Sequence, residues 1–277
     1  METNTVSPAV PADGSVSATA YNHPLLQAQP AGKPGCKCGT LRPPRKLHAA
    51  VGLWMALFIG VHFSIGLTGL NPRKYEGTVG LLHRSLAYLP NAVLLLVFIP
   101  MLVQAGSGLY LIAREGLRYD VKRCDRGGKL RYFLQRWSGL AMLGFLMPHV
   151  GIMRDWWPSL ASRWSASHPL SFAPTGAADG SSFVHTAAGF HPWNSPVANS
   201  ITIAFLLAGI VETVFHVANG TWSGGVLWKT VQSDRGKDWL GYVSLAAGLL
   251  LADMGLLAWY AFSLSPNVHV ALAVAGH

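Results

Sequence analysis

The sequence predicts an all-α protein: an integral membrane bundle of five transmembrane helices behind a disordered or extended N-terminal arm. Three observations predict it. Of 277 residues, 51% are hydrophobic and 12% charged, about half the charge content of an average soluble domain. Five stretches of mostly apolar residues reach the roughly 20 residues that a bilayer crossing requires. Histidines lie inside three of those stretches, where an imidazole is costly to bury without a partner and marks a functional site by default. The ten tryptophans suit the amphipathic belt at a membrane surface.

Taken in chain order, residues 1–47 form the arm. Its first part is rich in Ala, Pro, Ser and Gly and lacks periodicity, which predicts a segment without packed structure. No basic stretch precedes an apolar core there, so the arm is not read as a signal peptide and the first span would act as its own insertion signal. The spans follow within residues 48–264: His48 to Leu70, Pro90 to Ala113, Phe133 to Met153, Pro196 to Ala218 and Trp239 to Leu264. Pro100 and Pro148 fall inside spans, where neighbouring helices re-satisfy the carbonyls that proline frees. Residues 265–277 read as a short tail.

The formal charge of +9 is carried by loops. Lys33, Lys37, Arg42, Arg45 and Lys46 precede the first span. Seven more basic residues, from Arg114 to Arg131, lie between the second and third, and Lys229, Arg235 and Lys237 lie between the fourth and fifth. The opposite side holds Arg73, Lys74, Arg84, Arg154 and Arg163. The imbalance predicts a cytoplasmic N-terminus and a C-terminus outside, and it explains the charge without nucleic acid. The three cysteines, Cys36, Cys38 and Cys124, are too few and too unevenly placed for a disulfide framework. The outer loop from Arg154 to Ser195 is Trp-rich and holds His168, His185 and His191, with no role assigned.

Depth sorts the buried polar residues into two levels. His62 and His149 fall in the outer half of the bilayer; His216 and Gln104 fall in the inner half. A haem held between helices needs two axial nitrogens at one depth, which the outer pair meets and the inner pair does not. Hydrogen bonding to a neighbouring helix is the ordinary alternative for any one of these histidines. Their matched depth favours His62 and His149 as ligands, although the same two residues would also suit contact with a quinone.

Four stretches resemble the membrane subunit of succinate:quinone oxidoreductases and fumarate reductases. They are Leu134-Gln-Arg-Trp-Ser-Gly-Leu140 running to Pro148-His149-Val150, Phe215-His216-Val-Ala-Asn219-Gly220-Thr-Trp222, Arg45-Lys-Leu-His48, and the segment from Pro100 to Gly108-Leu109-Tyr110. The resemblance implies a five-helix cytochrome b-type anchor with two b haems, ligated by one histidine from each of the first four helices. On that pattern His62 and His149 match the outer haem pair and His216 matches one ligand of the inner haem. Gln104 stands where the second inner histidine belongs, and glutamine is a poor haem ligand.

Cys36-Lys-Cys38 lies ten residues before the first span, on the same side as that altered inner site. Two thiolates and two imidazoles make up the ligand set of a Rieske-type [2Fe–2S] centre. Cys36 and Cys38 are therefore expected to hold such a cluster together with buried histidines. His216 comes first, His48 is the weaker choice on the same side, and His62 and His149 serve if the arm penetrates further. Two idle thiols are the plain alternative, and Cys124 reads as a bystander.

Gln135, Arg136 and Ser138 begin the third span at the inner face. In the family that they resemble, such an element lines the quinone site beside the iron–sulfur subunit. A quinone carbonyl needs donors, and the charge that grows on it during reduction needs a cation nearby; the alternative for Arg136 is simple snorkelling to the interface. His48 and Trp222 are expected to close the pocket, and the resemblance implies menaquinone as the quinone. Glu212 and Asp253 are intramembrane acids, read either as a proton relay or as protonated, hydrogen-bonded carboxyls.

The implied partners are an iron–sulfur subunit, a flavoprotein subunit and membrane lipid, with room for a higher oligomer. No Gly-rich dinucleotide fingerprint occurs here, so succinate chemistry belongs to other chains. The expected function is the membrane anchor of a succinate dehydrogenase in the bacterial cell membrane, relaying electrons to quinone. The alternatives are the anchor of another quinone-linked dehydrogenase and a non-redox membrane anchor.

Overall fold

The structure, a computed structural model, describes residues 43–87, 91–117, 128–153, 181–191 and 195–275. All of them fall in the unit Gly39–His277. They are helical almost throughout, with no strand among the described residues. Cys36, Cys38, Cys124 and His168 lie outside the described residues.

Helix α1 spans Pro43–Leu67 and runs on into a 3-10 turn at Thr68–Leu70. Prolines suit its start, where the missing N–H would have no helical partner anyway. Asn71 is extended, at φ −129° and ψ 106°, as the residue before Pro72 is expected to be, and this ends the helix. Helix α2 follows over Pro72–Ala87. Helix α3, Ile99–Glu115, is entered through a π-helical turn at Leu94–Phe98. Pro100 has no N–H for the carbonyl of Leu96, four residues earlier. The Trp54 indole of α1 donates to that carbonyl at 2.7 Å, so the helix irregularity becomes a cross-helix contact.

Helix α4 covers Gly128–Met153 and α5 covers Ser181–Phe190. Helix α6, Pro196–Leu227, has Ser195 as its N-cap and proline in its first turn. Helix α7, Asp234–Ser263, is capped by Ser233, which accepts from the Gly236 N–H at 3.0 Å. Asp234 complements the positive end of its dipole. Helix α8, Pro266–Ala275, occupies the stretch read from sequence as a tail.

Among the described residues, four segments have the length and apolarity to cross a membrane: Pro44–Leu70, Leu94–Glu115, Pro196–Leu227 and Asp234–Ala273. They coincide with the first, second, fourth and fifth predicted spans. Helix α4 sits where the third was predicted and, at 26 residues, is long enough. It is not among the four, since Arg136, Pro148 and His149 interrupt its apolar stretch.

Helix α1 packs against α3, α6 and α7, and α6 packs against α4 and α7. Small residues let the backbones approach. A Cβ on Gly248 of α7 would lie 2.8 Å from the Ala218 Cβ of α6, and one on Gly66 of α1 would lie 2.9 Å from the Ala258 Cβ of α7. Such close approach holds helices together where lipid removes the hydrophobic drive between them. The outward faces are apolar: Leu53, Leu57, Leu102 and Leu249 are all exposed, as a bilayer solvent requires.

Burial concentrates elsewhere, in a cap built by α2, α5, α8 and the end of α7. Tyr75, Val79, Phe183, Ala187, Phe262 and Val268 form its core. The Tyr75 hydroxyl meets the Thr186 hydroxyl at 2.9 Å, Glu76 accepts from the Phe183 N–H at 2.6 Å, and His191 Nε2 bonds the Ser263 carbonyl at 3.0 Å. The loop from Arg154 to Ser195, given no role from sequence, thus supplies a helix to this cap.

Burial raises the Tyr75 phenol above its ordinary value, partly offset by the Thr186 bond. The folded state then holds its proton to higher pH than the unfolded state. The stability this residue contributes is complete below the ordinary phenol value near pH 10 and is lost as pH rises through the raised one. Thermal unfolding of the detergent-solubilised protein between about pH 8 and 11 will show a steeper alkaline decline than Tyr75→Phe shows. Parallel curves for the two proteins would refute this.

Candidate functional site

The level expected to lie on the outer side is built from two imidazoles. His62 of α1 and His149 of α4 have ring centroids 6.5 Å apart, with planes at 78°. Helices α1 and α4 make little direct contact along their lengths, so the two rings bridge a gap. Each stacks on a phenylalanine one turn earlier on its own helix: His62 on Phe58 at 5.8 Å and His149 on Phe145 at 5.2 Å. Among the described residues, neither ring has a hydrogen-bond partner.

Two imidazoles on opposite sides of one metal ion, each with a metal–nitrogen bond of about 2 Å, place their ring centres about 6 Å apart. The observed spacing and the free ring nitrogens both fit that arrangement. Phe145 is itself held by Gly209 of α6, where a Cβ would overlap its ring. Gly209→Val will therefore push Phe145 against His149 and shift the optical or EPR signature of any centre bound there, while Gly144→Ala, with open space at its Cβ, will not. An unshifted signature in the first variant would show that the stack does not orient the ligand.

The inner level is arranged differently. His48 of α1 meets the Ser107 hydroxyl through Nδ1 at 2.9 Å and the Gln104 amide through Nε2 at 3.2 Å, both from α3. His216 of α6 meets the Ser138 hydroxyl at 3.0 Å. The Gln135 amide of α4 approaches its two ring nitrogens at 3.2 and 3.1 Å and donates to its backbone carbonyl at 3.1 Å. Asn219 donates to the Gln135 oxygen at 2.7 Å and to the Arg131 carbonyl at 3.1 Å. Each imidazole rests against a glycine: a Cβ on Gly108 would come within 3.2 Å of His48, and one on Gly139 within 3.1 Å of His216.

The ring nitrogens at this level are thus already partnered, and Gln104 supplies an amide where an axial imidazole would be needed. The α3 position thus offers an amide, a poor ligand for the iron of a haem held from that helix. The Gln104 carbonyl oxygen is buried and has no partner among the described residues, which leaves an acceptor open to a donor from a ligand. Below the histidines, Glu115 at the end of α3 bonds Arg45 of α1 and Arg136 of α4.

The structure therefore brings Gln135 and Ser138 to His216 and anchors Arg136 close by. Trp222 is not joined to either histidine; its indole donates to the Lys237 carbonyl at 3.3 Å and lies under the Arg131 guanidinium at 4.3 Å. Asp253 is exposed on α7 and Glu212 half-buried on α6. Neither has a polar partner among the described residues, so the structure does not link them into a relay with the histidines. No group of three or more His, Cys, Asp or Glu suited to a metal ion occurs among the described residues. Sequence reasoning missed Ser107, Glu115, Phe145 and Asn219. Of these, Ser107, Phe145 and Asn219 lie within the stretches that carry the resemblance, and Glu115 carries no signal of its own.

The chain is 22% identical over 222 residues to the succinate dehydrogenase cytochrome b558 subunit of Bacillus subtilis (strain 168), covering 79% of this chain and 95% of that one. No family model matches it. No solved structure matches it either.

Proposed function

We propose that this chain, a distant relative of the cytochrome b membrane anchors, is the anchor subunit of a succinate dehydrogenase and relays electrons from an iron–sulfur subunit to membrane quinone. The likeness to the Bacillus subtilis subunit points to the complex. One observation carries the redox role: two imidazoles, without a hydrogen-bond partner among the described residues, opposed at 6.5 Å across a gap between α1 and α4. In this reading all five long helices cross the bilayer, α4 included. The cap helices α2, α5 and α8 then share the outer side, and the Arg45–Glu115–Arg136 bridge marks the inner side, with the N-terminus in the cytoplasm.

The outer pair would hold haem b, which supplies one-electron transfer when bound. The inner level would take the quinone head group, with Gln135, Arg136 and Ser138 as donors and the free Gln104 oxygen as an acceptor for a hydroxyl of the reduced form. His48 orients Gln104. Succinate oxidation belongs to the partner flavoprotein, and the iron–sulfur subunit docks on the basic inner loops. Menaquinone is the quinone we assign.

A second reading is favoured by the Gln104 substitution together with Cys36 and Cys38. An anchor whose inner level offers a poor haem ligand in Gln104 carries a thiolate pair that a haem-only anchor does not need. Those thiolates and two histidines would complete a Rieske-type [2Fe–2S] cluster. His216 is engaged by Ser138 and Gln135, whereas His62 and His149 have no hydrogen-bond partner among the described residues.

Purification of the complex through this chain tests the proposal. Succinate-dependent reduction of both a soluble dye and a short-chain naphthoquinone is expected. Co-purification with a different dehydrogenase, or dye reduction without quinone reduction, would overturn it. Iron released on Cys36→Ser, with loss of acid-labile sulfide, would select the cluster over the haem.

A further inference from the structure

We propose that Glu115 is a positioning residue for the inner quinone site, holding the Arg136 guanidinium at the level of Gln135 and Ser138. The inference rests on the quinone reading of that level. Arg136 is only 15% exposed in its side chain, and two acceptors from the end of α3 hold it. Its Nη2 donates to Glu115 Oε2 at 2.5 Å and its Nη1 to the Gly116 carbonyl at 2.8 Å. Gly116 adopts φ 74°, a left-handed conformation that glycine accepts without strain. Its N–H caps the Ile112 carbonyl at 2.8 Å.

The other carboxylate oxygen of Glu115 accepts from Arg45 of α1, through Nε at 2.9 Å and through Nη2. A single carboxylate at the end of α3 thus joins the start of α1 to the third turn of α4. The guanidinium has five N–H donors in a rigid fork, so two bonds to α3 leave donors that can face a ligand. Without that grip a long arginine at a bilayer edge extends toward water, and its charge leaves the level of Gln135. The carboxylate also offsets one of the two arginine charges, which suits a site for a neutral quinone carbonyl.

Four variants of the purified complex test the assignment, each measured with a short-chain naphthoquinone and with dye reduction that bypasses the anchor. Glu115→Gln is expected to raise the quinone KM about fivefold or more, with kcat and dye reduction within about twofold of the parent. Glu115→Asp, which keeps the charge and shortens the reach, is expected to fall between the two. Arg45→Ala is expected to leave KM unchanged, because Glu115 keeps Arg136. Arg136→Ala is the reference for loss of the charge. An unchanged KM in Glu115→Gln beside a raised one in Arg136→Ala would overturn the positioning role and leave the quinone reading intact. An unchanged KM in Arg136→Ala would overturn the quinone reading and this inference with it. Should Glu115→Gln fail to assemble, a raised KM in Glu115→Asp supports the role and an unchanged one overturns it.

Discussion

Replacing His149 with alanine is expected to remove the redox centre proposed for the outer level. The reduced-minus-oxidised spectrum of the purified complex should lose its features, bound iron should fall, and quinone reduction should drop about 100-fold or more while dye reduction persists. His62→Ala should do the same, and the double variant should be no worse than either single one, because two axial ligands to one metal act as a unit. The reason is geometric. The rings oppose each other at 6.5 Å, and no residue of the described structure occupies their nitrogens. Hydrogen-bonded core histidines would behave otherwise: alanine at either position would cost some stability and leave the spectrum intact. A spectrum that survives both substitutions refutes the assignment.

Gln135→Leu should have the second largest effect. The amide of Gln135 serves the His216 ring, the His216 carbonyl and the Asn219 side chain. Leucine fills similar space and answers none of them. Ser138 still meets the His216 ring and the Arg131 carbonyl still accepts from Asn219, so what is lost is single hydrogen bonds, which in a bilayer average about 0.6 kcal/mol each. The sum is on the order of 2 kcal/mol, enough to lower the melting temperature of the solubilised complex by a few degrees. Quinone KM should rise in parallel. Gln135→Glu keeps the acceptor for Asn219 and should be milder. Equal melting temperatures for Gln135→Leu and the parent would show that this network does not hold α4 to α6.

The bundle was legible in the sequence because lipid imposes one rule on long segments: every backbone polar group must bond within its own helix. Apolar runs of bilayer length therefore located α1, α3, α6 and α7. The third predicted span was harder, since Arg136, Pro148 and His149 dilute its apolar character. The cap was not legible. The helix at Pro72–Ala87 is short and polar on average, and Ser181–Phe190 sits in a stretch rich in Ser and Ala and interrupted by Trp and Pro. Their burial depends on long-range partners such as Tyr75 with Thr186, which no local pattern announces.

Depth along each span placed His62 opposite His149. It did not show that Gln104 bonds His48, because that contact depends on how α1 and α3 rotate about their own axes. His48 opens the first predicted span, and the structure puts it in the first turns of α1, bonded to α3. Glu115 escaped notice for a related reason: a lone acid after a span looks like a loop charge until its two arginine partners, 70 and 21 residues away in sequence, arrive beside it.

The most direct measurement is a count of redox centres in the complex purified through this chain, by optical spectroscopy with iron, haem and acid-labile sulfide analysis. The expected result is one centre belonging to this subunit, at the outer level, abolished by either His62→Ala or His149→Ala and unaffected by Gln104→Leu. Two centres in this subunit, or one that persists when both outer imidazoles are gone, would contradict it.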